Sequence, residues 1–330
     1  MEQTVNLQMT GEVLNDFLER FGLEPEVKKL GDFENYVFET YRAGHPYIMR
    51  ITHSTHRCKD EILSELDWMK HLYCEGLSVP EVFPSLGGSL VEEAAAEDGS
   101  IFYGCLFAKA RGKAVSVRSE QFSDKLFEKW GEVTGRMHRA TKNYQPSEGI
   151  KKRSSWDEDD LLQVEKYYPA EEQELVENAK EVISAISSLP KKIDNFGIIH
   201  TDIHSGNFFY DGEEVHVFDF DDASYHWFAS DIAIPLYYSL LYRIPASEKE
   251  ERQRFGQLFL DSFINGYQKG NQLPEGWKEH VPLFLMLRDV VLYAVLHKKI
   301  APVDRDDKLL AMMDEIAERI KYKVPIVNIG

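Results

Sequence analysis

A short β-rich segment interrupts a long run of predicted helices in the second half of the 330-residue chain. Its first strand, Gly197–His200, leads into a stretch at 200–207 that reads His-Thr-Asp-Ile-His-Ser-Gly-Asn. The apolar runs Phe208–Tyr210 and Val215–Phe218 follow, and the Asp-Gly pair between them is a strong hairpin signal. This segment therefore predicts a rigid strand pair that presents the polar side chains of the adjoining loops.

Three oxygen-bearing side chains, Asp202, Asn207 and Asp219, stand in or next to those loops. Asn207 follows Asp202 by five residues, so one tight loop can turn both side chains towards one point, and the hairpin returns Asp219 to it. Mg²⁺ is held in proteins by hard oxygen ligands of this kind. Phosphoryl transfer also needs a carboxylate that orients the attacking hydroxyl and accepts its proton. Asp202 can be that carboxylate, and Asn207 and Asp219 can be the metal ligands.

The pattern His200-x-Asp202-x₄-Asn207, followed by Phe-Asp-Phe at 218–220, resembles the signature of the aminoglycoside phosphotransferase and choline kinase-like superfamily. These proteins are small-molecule kinases with a protein-kinase-like fold. The resemblance implies that Asp202 is the catalytic base, that Asn207 and Asp219 bind Mg²⁺, and that ATP is the phosphoryl donor. A lone His-x-Asp pattern would arise by chance, but here a strand precedes it and a second motif follows at a suitable spacing.

Two further residues match positions that support the catalytic loop in the resembled family. Asp231 opens an Asp-hydrophobic-Ala segment, and such an aspartate braces the loop from the start of a helix. His200, the first residue of the motif, is expected to support the loop as well. Thr201 departs from the family pattern, because many members carry glycine at this spacer position.

The periodicities predict an α+β, two-lobed, protein-kinase-like fold. The N-terminal third reads as a small antiparallel sheet carrying one helix, in which Ile62, Leu66, Met69 and Tyr73 recur at helical spacing. We predict a nucleotide-binding lobe over 1–107, a hinge over 108–118 and a helical lobe with the catalytic loop and acceptor site over 119–330. The predicted strands of the first lobe are 36–41, 47–52, 88–92 and 101–107. The other predicted helices are 14–21, 119–141, 171–188, 232–242, 252–267, 281–297 and 307–321.

The N-terminal lobe should supply the grip on the nucleotide. The loop Leu30–Asn35 is no Walker loop, and the resemblance implies that backbone N–H groups of such a loop, here ending at Asn35, cover the phosphates. Arg50 is a cation in an otherwise apolar strand and needs a partner. The resembled family places a lysine, or in some branches an arginine, at this position to bind the α and β phosphates. Glu65 on the following helix could pair with Arg50, and Glu61 is the competing candidate.

The segment Leu106–Gly112 is similar to the hinge between the lobes of the resembled fold. In that fold the adenine hydrogen-bonds to hinge backbone, which here corresponds to Ala108 and Ala110.

Several features bear on the acceptor. Asp221 and Asp222 follow the metal-ligand candidate and should border the acceptor site. Trp227 belongs to an aromatic cluster at 225–228 that could line a pocket for a cation, or could pack a loop against a helix. Eight acids between residues 156 and 174 form either a solvated helical face or a funnel for a cationic alcohol. We expect the acceptor to be an amine-bearing hydroxyl compound such as an amino-alcohol, an amino-sugar or a homoserine-like molecule. Arg288 could pair with a local partner or reach the cleft, and the sequence does not decide between the two.

Charge and cysteine content narrow the partners and the compartment. The chain has 56 acidic residues against 38 Lys and Arg, a formal net charge of −18, which argues against a nucleic-acid coat. The longest uncharged apolar stretch, Ile232–Tyr242, is too short to span a bilayer. No signal peptide is visible, and three widely spaced cysteines match neither a zinc site nor a disulfide framework. We expect a cytoplasmic protein that binds neither membrane nor nucleic acid.

Two other functions compete with a small-molecule kinase. A non-catalytic nucleotide-binding regulator on the same fold is one, although the base and both metal-ligand candidates are retained. A metallohydrolase is the other, prompted by His200-x-Asp202-x-His204, but such sites need further histidine ligands and no repeated spacing supplies them.

Overall fold

A computed structural model describes residues 3–329, which form two compact bodies. The first body holds the chain up to Gly112 together with the segments Tyr144–Arg153 and His216–Asp221. The second body holds Lys113–Asn143, Ser154–Val215 and the chain from Asp222 onwards. The mixed α+β class, with an antiparallel sheet in the N-terminal part and helices in the C-terminal part, is confirmed.

The first body is built on one antiparallel sheet. Its strands run in the order β1-β2-β3-β6-β4, and β5 also pairs with β6. Three helices join this sheet. The elements are α1 (Gln3–Gln8), α2 (Gly11–Arg20), β1 (Lys28–Gly31), β2 (Asn35–Arg42), β3 (His45–His53), α3 (Lys59–Cys74), β4 (Val82–Phe83), β5 (Glu92–Ala95) and β6 (Ile101–Ala108).

Local chemistry explains the central hairpin of that sheet. Between β2 and β3, Ala43 and Gly44 both adopt positive φ, 50° and 75°, which is the geometry of a tight hairpin turn that follows the strand twist. Inward-facing residues of α2, β3 and β6 then form a core from which water is excluded. Phe17, Met49, Ile51, Phe102 and Leu106 all have 0% exposure there.

The second body is mainly helical. Its helices are α4 (Asp124–Thr141), α5 (Val164–Tyr167), α6 (Gln173–Ser187), α7 (Phe228–Arg243), α8 (Lys249–Gly270), α9 (Trp277–Lys299) and α10 (Asp307–Tyr322), with 3₁₀ turns at Trp156–Glu158, Asp160–Leu162 and Pro302–Asp304. Strand β7 (Phe196–Ile199) pairs antiparallel with β10 (Ser224–Trp227). Strand β8 (Phe208–Tyr210) leads into the predicted turn, where Asp211 N donates to Glu214 O, and β9 (Val215–Val217) follows it, with its last two residues assigned to the first body.

Helices α4 and α8 approach each other so closely that only glycine fits at their contact. A Cβ on Gly131 of α4 would overlap the carbonyl oxygen of Phe263, and a Cβ on Gly266 of α8 would overlap the carbonyl oxygen of Glu128. The two glycines thus let two helix backbones touch. This contact fixes α4, whose C-terminal half supports the loop described below.

One described helix, α9, is long and apolar enough to cross a membrane by length and composition alone. Core helices pass the same test, and 56% of its 18-residue apolar window is buried within the protein. Asp289, in the middle of α9, is 1% exposed and is ion-paired with Arg319 of α10 at 2.6 Å. These contacts identify α9 as a core helix of the second body.

The predicted helices and the strands of both hairpins are present, with ends shifted by a few residues. The strand predicted over 88–92 is wrong. Ser85 N donates to Ser89 O and Gly88 has φ 88°, so these residues turn, and the strand lies at Glu92–Ala95. Strands β1, β4 and β10 and the short helices α1 and α5 were not predicted. The helix predicted from residue 119 starts at Asp124, because Ser116 and Ser119 form a turn through the bond from Ser119 N to Ser116 O.

Substitution of Gly131 by alanine tests the α4–α8 contact. The added methyl meets backbone that cannot move aside, so we expect Gly131→Ala to lower the free energy of unfolding by about 3 kcal/mol or more. Gly11→Ala is the control, because a Cβ there meets nothing within 4 Å. Urea denaturation of both variants measures the difference, and equal stability would contradict the proposed backbone contact.

Candidate functional site

In the second body, Asp202 and Asn207 meet as predicted. The Asn207 side-chain amide donates to the backbone oxygen of Asp202 at 2.9 Å and to its Oδ2 at 3.1 Å. Two backbone bonds, from His204 N to Asp202 O and from Asn207 N to His204 O, fold the residues between them into successive turns. Because the Asn207 NH₂ group is used in this way, its Oδ1 is the atom left to act as a ligand.

Asp231, at the first turn of α7, holds the start of this loop. Its carboxylate is fully buried and accepts hydrogen bonds from His200 N at 3.0 Å and from Thr201 N at 2.9 Å. His138 of α4 lies 3.4 Å from the same carboxylate and bonds through Nδ1 to Tyr267 Oη at 2.8 Å. Burial lowers the pKa of His138. The bracing contact predicted for Asp231 is therefore present, and it reaches two consecutive backbone amides.

Thr201 adopts φ 64°, the left-handed region that a β-branched residue rarely occupies. Its hydroxyl donates to Asp222 O at 2.6 Å, which gives the side chain a hydrogen bond that glycine would lack. The conformation explains why glycine suits this position. His200, buried at 0% exposure, accepts a bond from Asp202 N at 3.3 Å on its Nδ1, so it supports the loop from the other side.

Arg288 of α9 contacts the carboxylate of Asp202. The sequence alone had left open whether Arg288 pairs locally or reaches the cleft. Its Nη2 lies 3.1 Å from Asp202 Oδ1, and its Nε donates to Tyr238 Oη at 2.8 Å. Burial opposes the ionisation of Asp202, but the hydrogen bond from His204 and the charge of Arg288 hold its pKa below the usual value. A charged residue directly after the apolar run Phe284–Leu287, inside a predicted helix, was the signal that could have identified Arg288.

Asp219 belongs to the first body, in the segment that follows β9. It has φ 66°, again a left-handed conformation outside glycine. The next residue, Phe220, is fully buried and packs edge-to-face on Trp68 of α3 with ring centroids 5.4 Å apart. This packing fixes the backbone on which Asp219 stands. The carboxylate oxygens of Asp219 are hard donors of the kind that suits a divalent cation such as Mg²⁺, and its predicted role as a metal ligand stays a prediction.

Asp221 does not fit its predicted role at the acceptor. Its carboxylate is buried, lies 2.5 Å from His56 Nε2 and 3.3 Å from Arg57 Nε, and accepts a bond from Asn35 Nδ2 at 3.2 Å. Burial opposes its ionisation, but His56 and the nearby arginines hold its pKa well below the usual value. A buried charge needs partners of this kind, and the Asp221 carboxylate finds them within the first body. It is therefore not free to contact an acceptor.

Asn35 lies at the start of β2, where its side chain is buried. It accepts a bond from Thr52 Oγ1 at 2.5 Å and donates to Asp221, so its side chain is a structural link, while the predicted role of the loop backbone ending at Asn35 in covering the phosphates stays a prediction. The connection between β1 and β2 is Asp32–Glu34. Ligand atoms of Glu34, His56 and Asp221 lie within 4.8 Å of one another, but Arg57 also contacts Asp221, which disfavours a cation there.

Arg50 and Glu65 form the ion pair predicted for the first body. Both guanidinium Nη atoms donate to the carboxylate, at 2.7 and 2.6 Å, and the two residues are 6% and 0% exposed. The Arg50 guanidinium also lies 5.1 Å from the ring centre of Phe107. The competing acid, Glu61, instead accepts a bond from Cys58 N at the start of α3. Glu65 is therefore the acid that orients Arg50.

Of the remaining candidates, Trp227 follows the packing alternative. It is 1% exposed, donates from Nε1 to Pro190 O at 3.1 Å and packs on Phe196, so it is a core residue, and the alternative role of lining a cation pocket is corrected. Its burial follows from the pairing of β10 with β7. Ala108 N donates to Glu81 O at 2.9 Å, which engages the amide expected to face an adenine. Ala110 follows the end of β6 and Asp222 is exposed, and their predicted roles stay predictions.

Known proteins are similar to this chain over most of its length. The profile of the Phosphotransferase enzyme family matches residues 26–279. An amicoumacin kinase from Bacillus subtilis (strain 168) is 36% identical over 288 residues, which cover 87% of this chain and 84% of that protein.

Solved structures agree with the profile. Amicoumacin kinase hAmiN, in complex with AMP-PNP, Ca²⁺ and Ami, superposes with a TM-score of 0.92 at 34% identity, over 99% of this chain and 98% of that one. A microcompartment-associated aminopropanol kinase superposes with a TM-score of 0.75 at 20% identity, over 95% and 98% of the two chains, which shows a shared fold.

Replacement of Asp231 by alanine removes the acceptor of two buried backbone amides. Each amide left without a partner costs about 1–3 kcal/mol, so Asp231→Ala should destabilise the protein by a few kcal/mol, and Asp231→Asn, which keeps one acceptor oxygen, by less. Asp194→Ala is the control, since that side chain is 73% exposed. Chemical denaturation measures the three variants, and an unchanged midpoint for Asp231→Ala would disprove the bracing role.

Replacement of Glu65 by alanine leaves the Arg50 charge buried without its carboxylate. Breaking a buried pair in this way costs about 3–5 kcal/mol, and we expect a loss of unfolding free energy in that range. Glu75→Ala, at an exposed position just after the same helix, is the control and should change stability little. A stability loss no larger than that of the control would show that the pair contributes nothing.

Proposed function

Because the chain belongs to the phosphotransferase enzyme family and is a small-molecule kinase, we propose that it transfers the γ-phosphoryl group of ATP to a hydroxyl group of a small molecule. In this reaction the acceptor oxygen forms a bond to the γ-phosphorus, and the bond between that phosphorus and the β–γ bridging oxygen of ATP breaks to release ADP. The hydroxyl proton passes to a carboxylate of the protein. We assign that carboxylate to Asp202.

The observation that carries this assignment is the hydrogen-bonded pair of Asp202 and Asn207 on a loop that Asp231 pins. A catalytic base must be held in a defined orientation, since small misplacements of reacting groups cost large factors in rate. The low pKa of Asp202 keeps it ionised and able to orient a hydroxyl group. Asp202 is partly open, with its side chain 21% exposed, so an acceptor can reach it.

We propose Asn207 and Asp219 as the ligands of Mg²⁺. The AMP-PNP and Ca²⁺ bound to the related amicoumacin kinase support an ATP-type donor and a divalent cation. When bound, Mg²⁺ neutralises the charge that develops on the phosphate oxygens. Asn207 offers Oδ1 to this ion because its amide nitrogen already donates to Asp202.

Arg50 is the proposed contact for the α and β phosphates. A guanidinium suits phosphate oxygens, and Glu65 and Phe107 hold it in one orientation. The adenine is expected along Ala108–Ala110, where the engaged Ala108 amide leaves its carbonyl oxygen and the Ala110 backbone for recognition. The division into nucleotide lobe, hinge at 108–118 and acceptor lobe, as well as the cytoplasmic location, stays a prediction.

For the acceptor we propose an amine-bearing hydroxyl compound of the amicoumacin type. The 36% identity to an amicoumacin kinase, over most of both chains, supports this class over a neutral sugar. Amino-alcohols and homoserine-like compounds are the smaller members of the same class. The excess of acidic residues would favour the approach of a cationic compound.

An acceptor screen tests the proposal. ADP release with ATP and Mg²⁺ is measured for amicoumacin, amino-alcohols, amino-sugars, homoserine and ribose derivatives, and we expect turnover with at least one amine-bearing alcohol. Turnover with neutral sugars alone would contradict the proposed acceptor class. ATP binding without turnover of any acceptor would favour a non-catalytic regulator.

Asp202→Asn tests the base directly. Loss of a general base lowers kcat by about 10²–10⁴-fold, while binding of AMP-PNP, followed by calorimetry, should stay within a few-fold of wild type. Asp194→Asn serves as the matched exposed control. If Asp202→Asn retains wild-type kcat, Asp202 is not the base.

A further inference from the structure

We infer that Arg288 is a specificity residue of the acceptor site, where it holds a carbonyl or carboxylate oxygen next to the hydroxyl group that is phosphorylated. This inference rests on the proposed function, in which the hydroxyl faces Asp202. It adds a chemical requirement on the acceptor, namely a hydrogen-bond-accepting oxygen beside the reactive hydroxyl. An amine farther along the acceptor remains compatible with it.

The guanidinium of Arg288 is held from one side only. Nε donates to Tyr238 Oη, and Nη2 contacts both Tyr238 Oη and Asp202 Oδ1. The third nitrogen, Nη1, makes no hydrogen bond to any residue within 3–329, and the side chain is 19% exposed. Arginine carries five N–H donors in a fixed plane, so donors remain available next to Asp202.

Tyr238 fixes the plane of those donors. Its hydroxyl accepts the two bonds from Arg288, and its ring stacks on Tyr242 at a centroid distance of 5.5 Å and an interplanar angle of 15°. The His204 ring meets Tyr238 edge-on at 5.2 Å. The side chain of Arg288 is therefore oriented before any ligand arrives, which is what a selective polar contact requires.

The positive charge of Arg288 disfavours an acceptor that carries an ammonium group next to its reactive hydroxyl. An ammonium group within reach of Asp202 would also lie near the fixed positive charge of Arg288, and like charges at such a distance repel. A carbonyl or carboxylate oxygen beside the reactive hydroxyl instead accepts a charge-assisted hydrogen bond. Amino-alcohols with the amine on the neighbouring carbon are thus expected to be poor acceptors.

Three matched alcohols test the inference on the full-length enzyme with ATP and Mg²⁺. Lactamide, 1,2-propanediol and 1-amino-2-propanol share a three-carbon skeleton with a hydroxyl on the second carbon, and differ in whether the neighbouring carbon bears a carbonyl, a hydroxyl or an ammonium group. For the wild type we expect kcat/KM for lactamide to exceed that for 1-amino-2-propanol by at least about tenfold, with propanediol between them.

The variant Arg288→Met removes the donors and the charge. We expect the preference for lactamide over propanediol to disappear, mainly through a higher KM, while Arg288→Lys restores part of it. Arg305→Met is the matched control, because Arg305 bonds to Ile300 O and His297 within the same body and makes no contact with Asp202. Tyr238→Phe, which removes the hydroxyl but keeps the ring, should weaken the preference even if Arg288→Met does not fold.

The outcomes separate the inference from the function on which it rests. A wild-type preference for 1-amino-2-propanol, or a lactamide preference that survives in Arg288→Met, overturns the role of Arg288 and leaves the kinase assignment intact. No turnover of the three alcohols by an enzyme that phosphorylates amicoumacin overturns it as well. No turnover of any acceptor, amicoumacin included, counts against the proposed function itself.

Discussion

Two consecutive backbone amides share one buried carboxylate, and the geometry of the candidate site depends on that interaction. Asp231 stands at the first turn of α7, where the backbone N–H groups of a helix start favour a negative charge. From there it accepts bonds from His200 and Thr201 and so sets the direction in which the chain enters the loop. With this direction set, two short turns are enough to bring Asn207 against Asp202. A fully buried carboxylate is tolerated here because its acceptor sites are used.

One residue of each predicted motif, Thr201 and Asp219, has a left-handed backbone conformation. The other described residues outside glycine with positive φ are Ala43 in the β2–β3 turn and Lys323 after α10. Such conformations cost energy and persist where surrounding contacts impose them. The contacts are visible in both places: Asp231 and Asp222 hold Thr201, while the buried ring of Phe220 anchors the residue after Asp219. The backbone strain at Thr201 and Asp219 lowers the stability of the fold slightly, and these contacts keep both residues in defined orientations.

The sequence predicted the α+β class, the main helices and the pairings of Asp202 with Asn207 and of Arg50 with Glu65. These features follow from local spacing, or from the need of a buried charge for a partner. Asp221 was misplaced and Trp227 was left undecided between two roles, because both side chains are buried by elements far away in the chain. The role of Asp221 is set by its contacts with His56 and Arg57. The burial of Trp227 is set by the pairing of β10 with β7, and β10 was not predicted as a strand from its aromatic residues. Arg288 was visible as a charge in an apolar helix, but its partner came from another helix.

Two hydrogen-bonded pairs of residues lie next to each other where α7 contacts α9, and each pair is linked to a different part of the second body. Tyr238 holds Arg288, which reaches Asp202, while the preceding Tyr237 donates to Asp289, which binds Arg319 of α10. Neighbouring helical residues point about 100° apart, so a rotation of α9 that improved one pair would disturb the other. The rotational setting of α9 is thus fixed jointly by the loop and by the last helix. A truncation that removed α10 would therefore alter the surroundings of Asp202 even though no α10 residue contacts it in the part of the chain described.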